Sequence, residues 1–192
     1  MTNSHGYIFC MADAEAAFFS SLLGGARYWT RVVANRDDLK RAMSERPAKT
    51  RLISFCSDLI IPGGIIQELG GQCFNFHSGP PERPGFRPTA FACVQGASDF
   101  GVTFHRLIAQ IDAGTIYATR RFPLPTGATQ DIVDLLTYEH LIELAKDVAP
   151  DLADFDVVFR PSGDVWVGQR TTRMDYERLQ LSVLRGRRNA AT

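Results

Sequence analysis

The sequence has no excess of charge of either sign. Its 21 Lys and Arg residues are matched by 21 Asp and Glu residues, so the formal net charge is zero. A general nucleic-acid binder usually carries a basic excess. The balance therefore argues against nucleic acid as a partner.

Long apolar runs are missing as well. No stretch of about 18 apolar residues is available to cross a membrane. The N-terminus lacks the basic segment followed by an apolar segment that marks a signal peptide. We therefore expect a cytoplasmic protein with no membrane partner.

Cysteine and histidine are scarce and widely spaced. The four cysteines include no pair at metal-binding spacing, and the four histidines form no H-x-x-x-H. We expect no bound metal, and buried free thiols in a reducing compartment. The residues are Cys10, Cys56, Cys73, Cys93, His5, His77, His105 and His140.

Motifs of two common enzyme classes are also absent. There is no G-x-S-x-G, so a serine hydrolase has no local support. The first predicted strand-to-helix turn, residues 10–15, contains no glycine and two carboxylates. Because these carboxylates would repel a phosphate, a dinucleotide or nucleoside triphosphate at this turn is disfavoured.

Short strands and helices alternate through the first half of the chain. This alternation predicts an α/β fold with a mostly parallel, Rossmann-like sheet flanked by helices. In such a sheet, ligands bind beyond the carboxyl ends of the strands. The predicted strands are residues 6–12, 28–34, 51–56 and 72–77, and the predicted helices are residues 14–23, 37–46 and 65–69.

The second half of the chain predicts further strands and helices after a proline-rich loop. Residues 1–125 are expected to form the α/β domain, and residues 126–192 a helix, a small hairpin and a terminal helix packed on it. The predicted helices are residues 88–94, 129–148 and 174–184, the strands residues 101–107 and 115–122, and the hairpin arms residues 157–160 and 165–169.

One stretch of sequence, FNFHSGPPERPG at residues 74–85, combines polar side chains with a strand end. Asn75 and His77 lie two residues apart and so share one face of the strand. Two such donors could stabilise an oxyanion, and Asp112 could raise the pKa of the imidazole. A turn-closing Asn, a core His and a loop-capping Asp would explain the same residues, and composition and spacing alone favour that explanation.

Several motifs together resemble the folate-dependent formyltransferases. They are Asn75-Phe76-His77, the proline-rich loop after it, Gly101-Val102-Thr103, and residues 111–116 (IDAGTI). The resemblance covers about residues 50–125, and the rest of the chain more loosely. It implies a Rossmann-like sheet, 10-formyltetrahydrofolate as the formyl donor, and acyl transfer without a metal or a covalent enzyme intermediate.

The resemblance also implies roles for individual residues. His77 would be a cationic acid that stabilises the oxyanion, and Asn75 would bind the same oxygen. Asp112 would keep His77 charged and help to remove the proton of the attacking amine. The pterin pocket would be formed by Leu59, Ile60, Ile61, Pro62, Ala109, Gln110 and Ile111. The start of a buried helix explains the first four equally well.

Departures from the family pattern bear on the acceptor. An S-L-L-P stretch often follows the histidine in this family. Here residues 78–85 (SGPPERPG) stand in its place, and this stretch resembles that of members acting on sugars or other small amines. The glycine-rich phosphate loop of the family's purine enzyme is absent here, which argues against a phosphoribosyl substrate. The short C-terminal region without a basic face argues against transfer RNA. Residues 165–172 resemble a W-x-G-x-x-T element that closes the catalytic domain in some relatives.

These observations favour an N-formyltransferase acting on a small amine such as an amino sugar. A formyltetrahydrofolate hydrolase on the same scaffold, or a non-catalytic folate-binding or partner-binding relative, are the alternatives. A homodimer through the apolar C-terminal region is also an option that the sequence leaves open.

Overall fold

The structure, a computed structural model, describes the backbone of residues 4–189 and the side chains of residues 4–185. Within the described backbone, six strands and six α-helices are formed. The strands are β1 (His5–Cys10), β2 (Trp29–Val32), β3 (Lys49–Phe55), β4 (Cys73–His77), β5 (Asp99–Arg106) and β6 (Ile116–Pro123). The helices are α1 (Asp13–Leu22), α2 (Arg36–Glu45), α3 (Gly63–Glu68), α4 (Pro88–Val94), α5 (Gln130–Ala153) and α6 (Arg173–Asn189).

The strands form one mixed sheet in the order β2-β1-β3-β4-β5-β6. Strands β1 to β4 pair in parallel, whereas β5 pairs antiparallel with both β4 and β6. The predicted α/β class with a mostly parallel sheet is thus confirmed. The register places Asn75 opposite His105 and His77 opposite Thr103.

Both faces of the sheet are covered, which explains the apolar runs in the sequence. Phe55 and Ile53 of β3 join an aromatic cluster with residues of α1 and α5, while Leu52 joins a second cluster with residues of α2. Side chains alternate between the two faces because the strand period is two. The polar residues that follow these strands are therefore held by a packed frame.

Helix α5 extends five residues beyond its predicted end at residue 148, to Ala153, and contains Pro150. Proline disfavours a helix interior, but tertiary hydrogen bonds hold this last turn. The buried Arg51 guanidinium donates to the carbonyls of Asp151 and Leu152, at 2.9 Å each. The Tyr7 hydroxyl also donates to the Leu152 carbonyl, at 2.8 Å.

The predicted hairpin at residues 157–160 and 165–169 is not formed. Within residues 4–189, the chain between α5 and α6 contains no strand. Its amides bond to other loops instead: Ser162 to the Ile116 carbonyl at 3.0 Å, and Val167 to the Pro81 carbonyl at 3.2 Å. Valines of the predicted arms point largely into solvent: Val158 is 84%, Val165 66% and Val167 65% exposed.

Two other expectations can be compared with the structure. Cys10 and Cys73 are buried free thiols as expected, whereas Cys56 is exposed. Among the helices of the described chain, none is both long enough and apolar enough to cross a membrane. The division into residues 1–125 and 126–192 stays a prediction.

Candidate active site

A cleft of about 740 Å³ lies where strands β3 and β4 end. Its lining includes Asn75 and His77 of β4, Asp112 from the β5–β6 loop, and residues that follow β3. The carboxyl ends of parallel strands are the expected ligand side of such a sheet. The structure thus brings the three predicted catalytic side chains to one side of one cleft.

Asp112 connects two histidines in this cleft. Its Oδ2 lies 3.4 Å from His77 Nδ1, and its Oδ1 lies 3.4 Å from His105 Nε2. The backbone amide of Gly85 donates to Oδ2 at 2.8 Å. All three side chains are buried, with exposures of 5% for His77, 1% for His105 and 8% for Asp112. The carboxylate is therefore fixed between two imidazoles with little access to water.

His105 is a site residue that sequence reasoning missed. Its Nδ1 lies 2.9 Å from the Arg106 carbonyl, which can only accept, so Nδ1 carries the proton in this bond. In neutral His105, Nε2 then accepts from Asn75 Nδ2 at 3.2 Å. Only the β4–β5 register reveals this pairing. The sequence hinted at a role for His105 only because it lies two residues after Thr103, so that both side chains are on the same face of the strand.

The imidazole of His77 is held in a defined orientation. Nε2 lies 2.9 Å from the Arg83 carbonyl, so Nε2 carries a proton. In the neutral ring, Nδ1 therefore holds the lone pair and faces Asp112. A second proton taken up by His77 would be located at Nδ1, beside the carboxylate.

Burial and mutual contact determine the pKa shifts of Asp112 and His77. Burial disfavours the Asp112 carboxylate, but His77, His105 and the Gly85 amide outweigh it and lower its pKa to about 2. Burial lowers the pKa of His77, although Asp112 and the Arg83 carbonyl oppose this effect. Burial thus opposes the cationic His77 that the resemblance implies, whereas the ionised Asp112 favours it, and the charged state of His77 stays a prediction.

The loop after His77 is held in place by a distant part of the chain. We define the proline loop as residues 78–87 and the C-terminal segment as residues 165–172. The Phe86 amide donates to the Thr171 carbonyl at 3.0 Å, and the Thr171 amide donates to the Pro84 carbonyl at 3.0 Å. Since this loop supplies the Arg83 carbonyl and the Gly85 amide, the C-terminal segment positions the partners of His77 and Asp112.

Glycines permit the close approach of these two segments. Gly85 has a φ of 103°, in the left-handed region, and forms a parallel bridge with Thr171. A Cβ at Gly168 would overlap the Glu82 carbonyl oxygen. The glycine of the W-x-G-x-x-T element is therefore required for contact with the proline loop.

Trp166 of the same segment packs on both histidines. Its ring meets His77 edge to face with centroids 5.6 Å apart, and meets His105 in the same way at 5.0 Å. The indole Nε1 donates to the Gly114 carbonyl at 2.7 Å, which fixes the ring relative to the Asp112 loop. Trp166 thus shields the imidazoles from water.

The predicted pterin-binding residues form much of one half of the cleft. Leu59, Ile60, Ile61, Ala109 and Ile111 line it, whereas Pro62 and Gln110 do not. Pro62 instead precedes the first turn of α3. We call these five residues, together with Ile66, Leu107 and Ile108, the apolar half of the cleft; an apolar gap between two loops suits a flat ring.

A second set of cleft-lining residues is largely polar, and the sequence did not identify it. We define this polar half as Ser57, Phe86, Arg87, Thr89, Asp134, Thr137, Tyr138, Arg170, Thr171, Thr172 and Arg173. Asn75, His77 and Asp112 line the same cleft. Among residues 4–185, no group of three or more His, Cys, Asp or Glu side chains is arranged to hold a metal ion.

Comparison with known proteins adds a family match. A family model described as formyl transferase matches residues 12–139, about two thirds of the chain. The methionyl-tRNA formyltransferase of Listeria monocytogenes is 26% identical over 101 residues, which are 50% of this chain and 32% of that protein. The match thus spans about a third of that relative's length.

Solved structures with the same fold include two sugar-modifying enzymes. The formyltransferase PseJ of Anoxybacillus kamchatkensis, in complex with a UDP-linked formamido sugar and tetrahydrofolate, superposes with a TM-score of 0.74 at 17% identity. That alignment covers 91% of this chain and 88% of PseJ. An N-formyltransferase of Helicobacter canadensis, in complex with folinic acid and dTDP-3-aminofucose, has a TM-score of 0.68 at 16% identity, covering 91% of this chain and 72% of that one.

Proposed function

Since the chain belongs to the formyl transferase family, we propose that it transfers a formyl group from 10-formyltetrahydrofolate to the amine of a small acceptor such as an amino sugar. The observation that carries the proposal is the meeting of Asn75, His77 and Asp112 in one cleft whose lining also includes an apolar and a polar set of residues. The apolar half suits the pterin ring, and the polar half suits the acceptor. The folate and nucleotide-linked sugars bound by PseJ and the Helicobacter enzyme support the same pairing of ligands.

In the proposed reaction, the acceptor nitrogen attacks the formyl carbon and a tetrahedral oxyanion forms. The bond from that carbon to the folate nitrogen then breaks. One proton leaves the acceptor amine and one is taken up by the departing folate nitrogen, so the proton count balances. Neither a metal nor a covalent enzyme intermediate is required.

Asn75 has a hydrogen for this oxyanion, and His77 gains one at Nδ1 when it is protonated. One amide hydrogen of Asn75 faces His105 Nε2, which leaves the second for the substrate oxygen. His77, when neutral, accepts the amine's proton at Nδ1, where Asp112 stabilises the imidazolium. The imidazolium then stabilises the oxyanion and returns a proton to the folate nitrogen.

Hydrolysis of formyltetrahydrofolate on the same scaffold is the second candidate. A hydrolase needs room for a water only, whereas the polar half of this cleft offers space for a larger acceptor. Transfer is therefore favoured over hydrolysis. A cytoplasmic location and a homodimer stay predictions.

The experiment that tests the proposal is binding followed by product analysis. Isothermal titration with folinic acid should give a dissociation constant in the micromolar range. Incubation with 10-formyltetrahydrofolate and a panel of amino-sugar nucleotides should then yield a formylated acceptor by mass spectrometry. Formate release without an acceptor product would favour the hydrolase, and absence of folate binding up to millimolar concentration would refute the proposal.

A further inference from the structure

Three arginines of the polar half have no part in the proposed chemistry. Arg87 belongs to the proline loop, Arg170 to the C-terminal segment, and Arg173 is the first residue of α6. All three are exposed and line the cleft that contains His77. The folding of the C-terminal segment onto the proline loop brings them into one cleft, although 82 residues lie between Arg87 and Arg170 in the sequence.

Phe86 holds two of these guanidinium groups. The Cζ atom of Arg173 lies 4.9 Å from the centre of the Phe86 ring, and that of Arg87 lies 5.5 Å from it. Cation–π contact of this kind favours a defined position for each guanidinium. Tyr176 supports the Phe86 ring from the edge, with centroids 5.8 Å apart. The two cations are thus placed around one ring at the cleft.

These arginines have no anionic partner within the protein. Among the side chains of residues 4–185, no ion pair joins Arg87, Arg170 or Arg173 to a carboxylate. The carboxylates in the cleft lining are Asp58, Asp112 and Asp134, and Asp112 is held by the histidines and the Gly85 amide. Three unpaired guanidinium groups at one cleft suit a ligand that carries negative charge.

A second feature of the polar half also indicates a polar ligand. The Thr137 hydroxyl is buried in the cleft wall and has no hydrogen-bond partner among the described residues. Thr137 is only 3% exposed. Buried hydroxyls are normally satisfied, so this oxygen is expected to bond to the ligand or to a water that the ligand holds.

We propose that Arg87, Arg170 and Arg173 bind the phosphate or diphosphate group of the formyl acceptor, so that the acceptor is an amine carrying phosphate. The inference rests on the proposed function. Arginine binds phosphate oxygens through paired N–H donors, which suits this group of side chains. The β1–α1 turn, with Asp13 and Glu15, is disfavoured as a phosphate site because its carboxylates would repel the anion.

The glutamate tail of the folate is the competing anion. It too could extend from the apolar half of the cleft to the arginines. The two assignments differ in which ligand responds to arginine substitution. Loss of a phosphate contact weakens binding of the acceptor alone, whereas loss of a tail contact weakens binding of folinic acid.

The test uses calorimetric titration of the full chain with pyrophosphate, UDP, uridine and folinic acid. The variants are Arg87→Gln, Arg170→Gln and Arg173→Gln, with Arg160→Gln as the matched control. Arg160 is exposed and lies in the same irregular region, but it does not line the cleft. Each cleft variant should weaken UDP binding about tenfold or more and leave folinic acid binding unchanged, while Arg160→Gln changes neither.

Each outcome decides the matter. UDP and pyrophosphate binding with equal affinity would support recognition of the phosphates alone, and tighter UDP binding would support a nucleoside diphosphate. Weaker folinic acid binding in the variants would overturn the proposal in favour of the glutamate tail. Folinic acid binding without UDP or pyrophosphate binding would overturn it while leaving the formyl-transfer function intact. Absence of folinic acid binding to the unmodified chain would instead reject the function on which it rests.

Discussion

Asn75 and His105 face each other across strands β4 and β5, and their side chains approach to 3.2 Å. Through this contact the carboxamide is joined to Asp112, because His105 Nε2 also lies 3.4 Å from Asp112 Oδ1. The proposed oxyanion donor and the proposed charge partner are therefore connected by one buried imidazole. His105 acts as a positioning residue in this arrangement.

Replacing His105 should disturb the orientation of Asn75. His105→Phe removes the acceptor for the Asn75 amide, and we expect turnover to fall about tenfold or more, since one buried hydrogen bond is lost. The KM for the folate should stay within about twofold. His105→Gln, whose Oε1 can accept from Asn75, should restore much of the loss. Steady-state kinetics of the three proteins would measure this, and equal turnover in all of them would contradict the role of His105.

Removal of His77 should have the largest effect on turnover. His77→Gln eliminates the group that accepts the amine's proton, so we expect a fall of about 10² to 10³ in turnover. Folinic acid titration of the variant checks that the cleft still folds. His140→Gln is the matched control, because His140 packs on Phe122 outside the cleft lining. Turnover within a few-fold of the unmodified chain would refute the mechanism.

The pH dependence of turnover should depend on Asp112. Burial lowers the pKa of His77, and the Asp112 carboxylate opposes that effect. Asp112→Asn removes the opposing charge, so the pKa of His77 falls further. The limb of the pH–rate profile that reports His77 should therefore move to lower pH, together with a loss of rate. An unmoved limb would show that Asp112 does not control the histidine.

Stability should also depend on pH through the same pair. The pKa of His77 is below its ordinary 6.5 in the folded state. The unfolded chain therefore binds this proton more readily, and the free energy of unfolding should fall as pH drops below about 6.5. The Asp112 pKa is lowered from 3.8 to about 2, so its contribution is present above about 3.8 and is lost only as pH falls toward 2.

Urea unfolding of the unmodified chain and of His77→Gln, between about pH 4.5 and 6.5, distinguishes the contribution of His77 to stability from that of Asp112. In this window the unfolded chain takes up the His77 proton more readily than the folded chain, while Asp112 stays ionised, so the variant should show the smaller decrease of stability with falling pH. An equal slope in both proteins would contradict the assignment to His77.

Contact between the proline loop and the C-terminal segment should also be required for activity. Gly168→Ala introduces a Cβ that overlaps the Glu82 carbonyl oxygen, so one segment must move. We expect a loss of turnover of about tenfold or more, because the Arg83 carbonyl and Gly85 amide shift with the loop. Gly64→Ala, where a Cβ meets nothing within 4 Å, is the control and should leave turnover unchanged. Circular dichroism would show whether the fold is retained.

The sequence allowed the sheet to be predicted because strands and helices alternate and each strand is a short apolar run. Asn75, His77 and Asp112 could be proposed because the family motifs are local in sequence. His105 could not, since its contact with Asn75 depends on the pairing of β4 with β5. The arginines of the polar half were missed for a similar reason, as Arg87 and Arg173 meet only through Phe86. The predicted hairpin was wrong because the backbone of its arms bonds to other loops, and these long-range contacts cannot be read from the local sequence.

The bridge between Gly85 and Thr171 also determines when the site can form during folding. Pairing among strands β1 to β4 can begin early, because it joins segments that all lie within the first 77 residues. The hydrogen bonds that orient the proline loop require a segment located 86 residues further along the chain, as counted from 85 to 171. On a translating ribosome, the framework would therefore be assembled first, and the chemically competent arrangement would be among the last parts of the molecule to be completed.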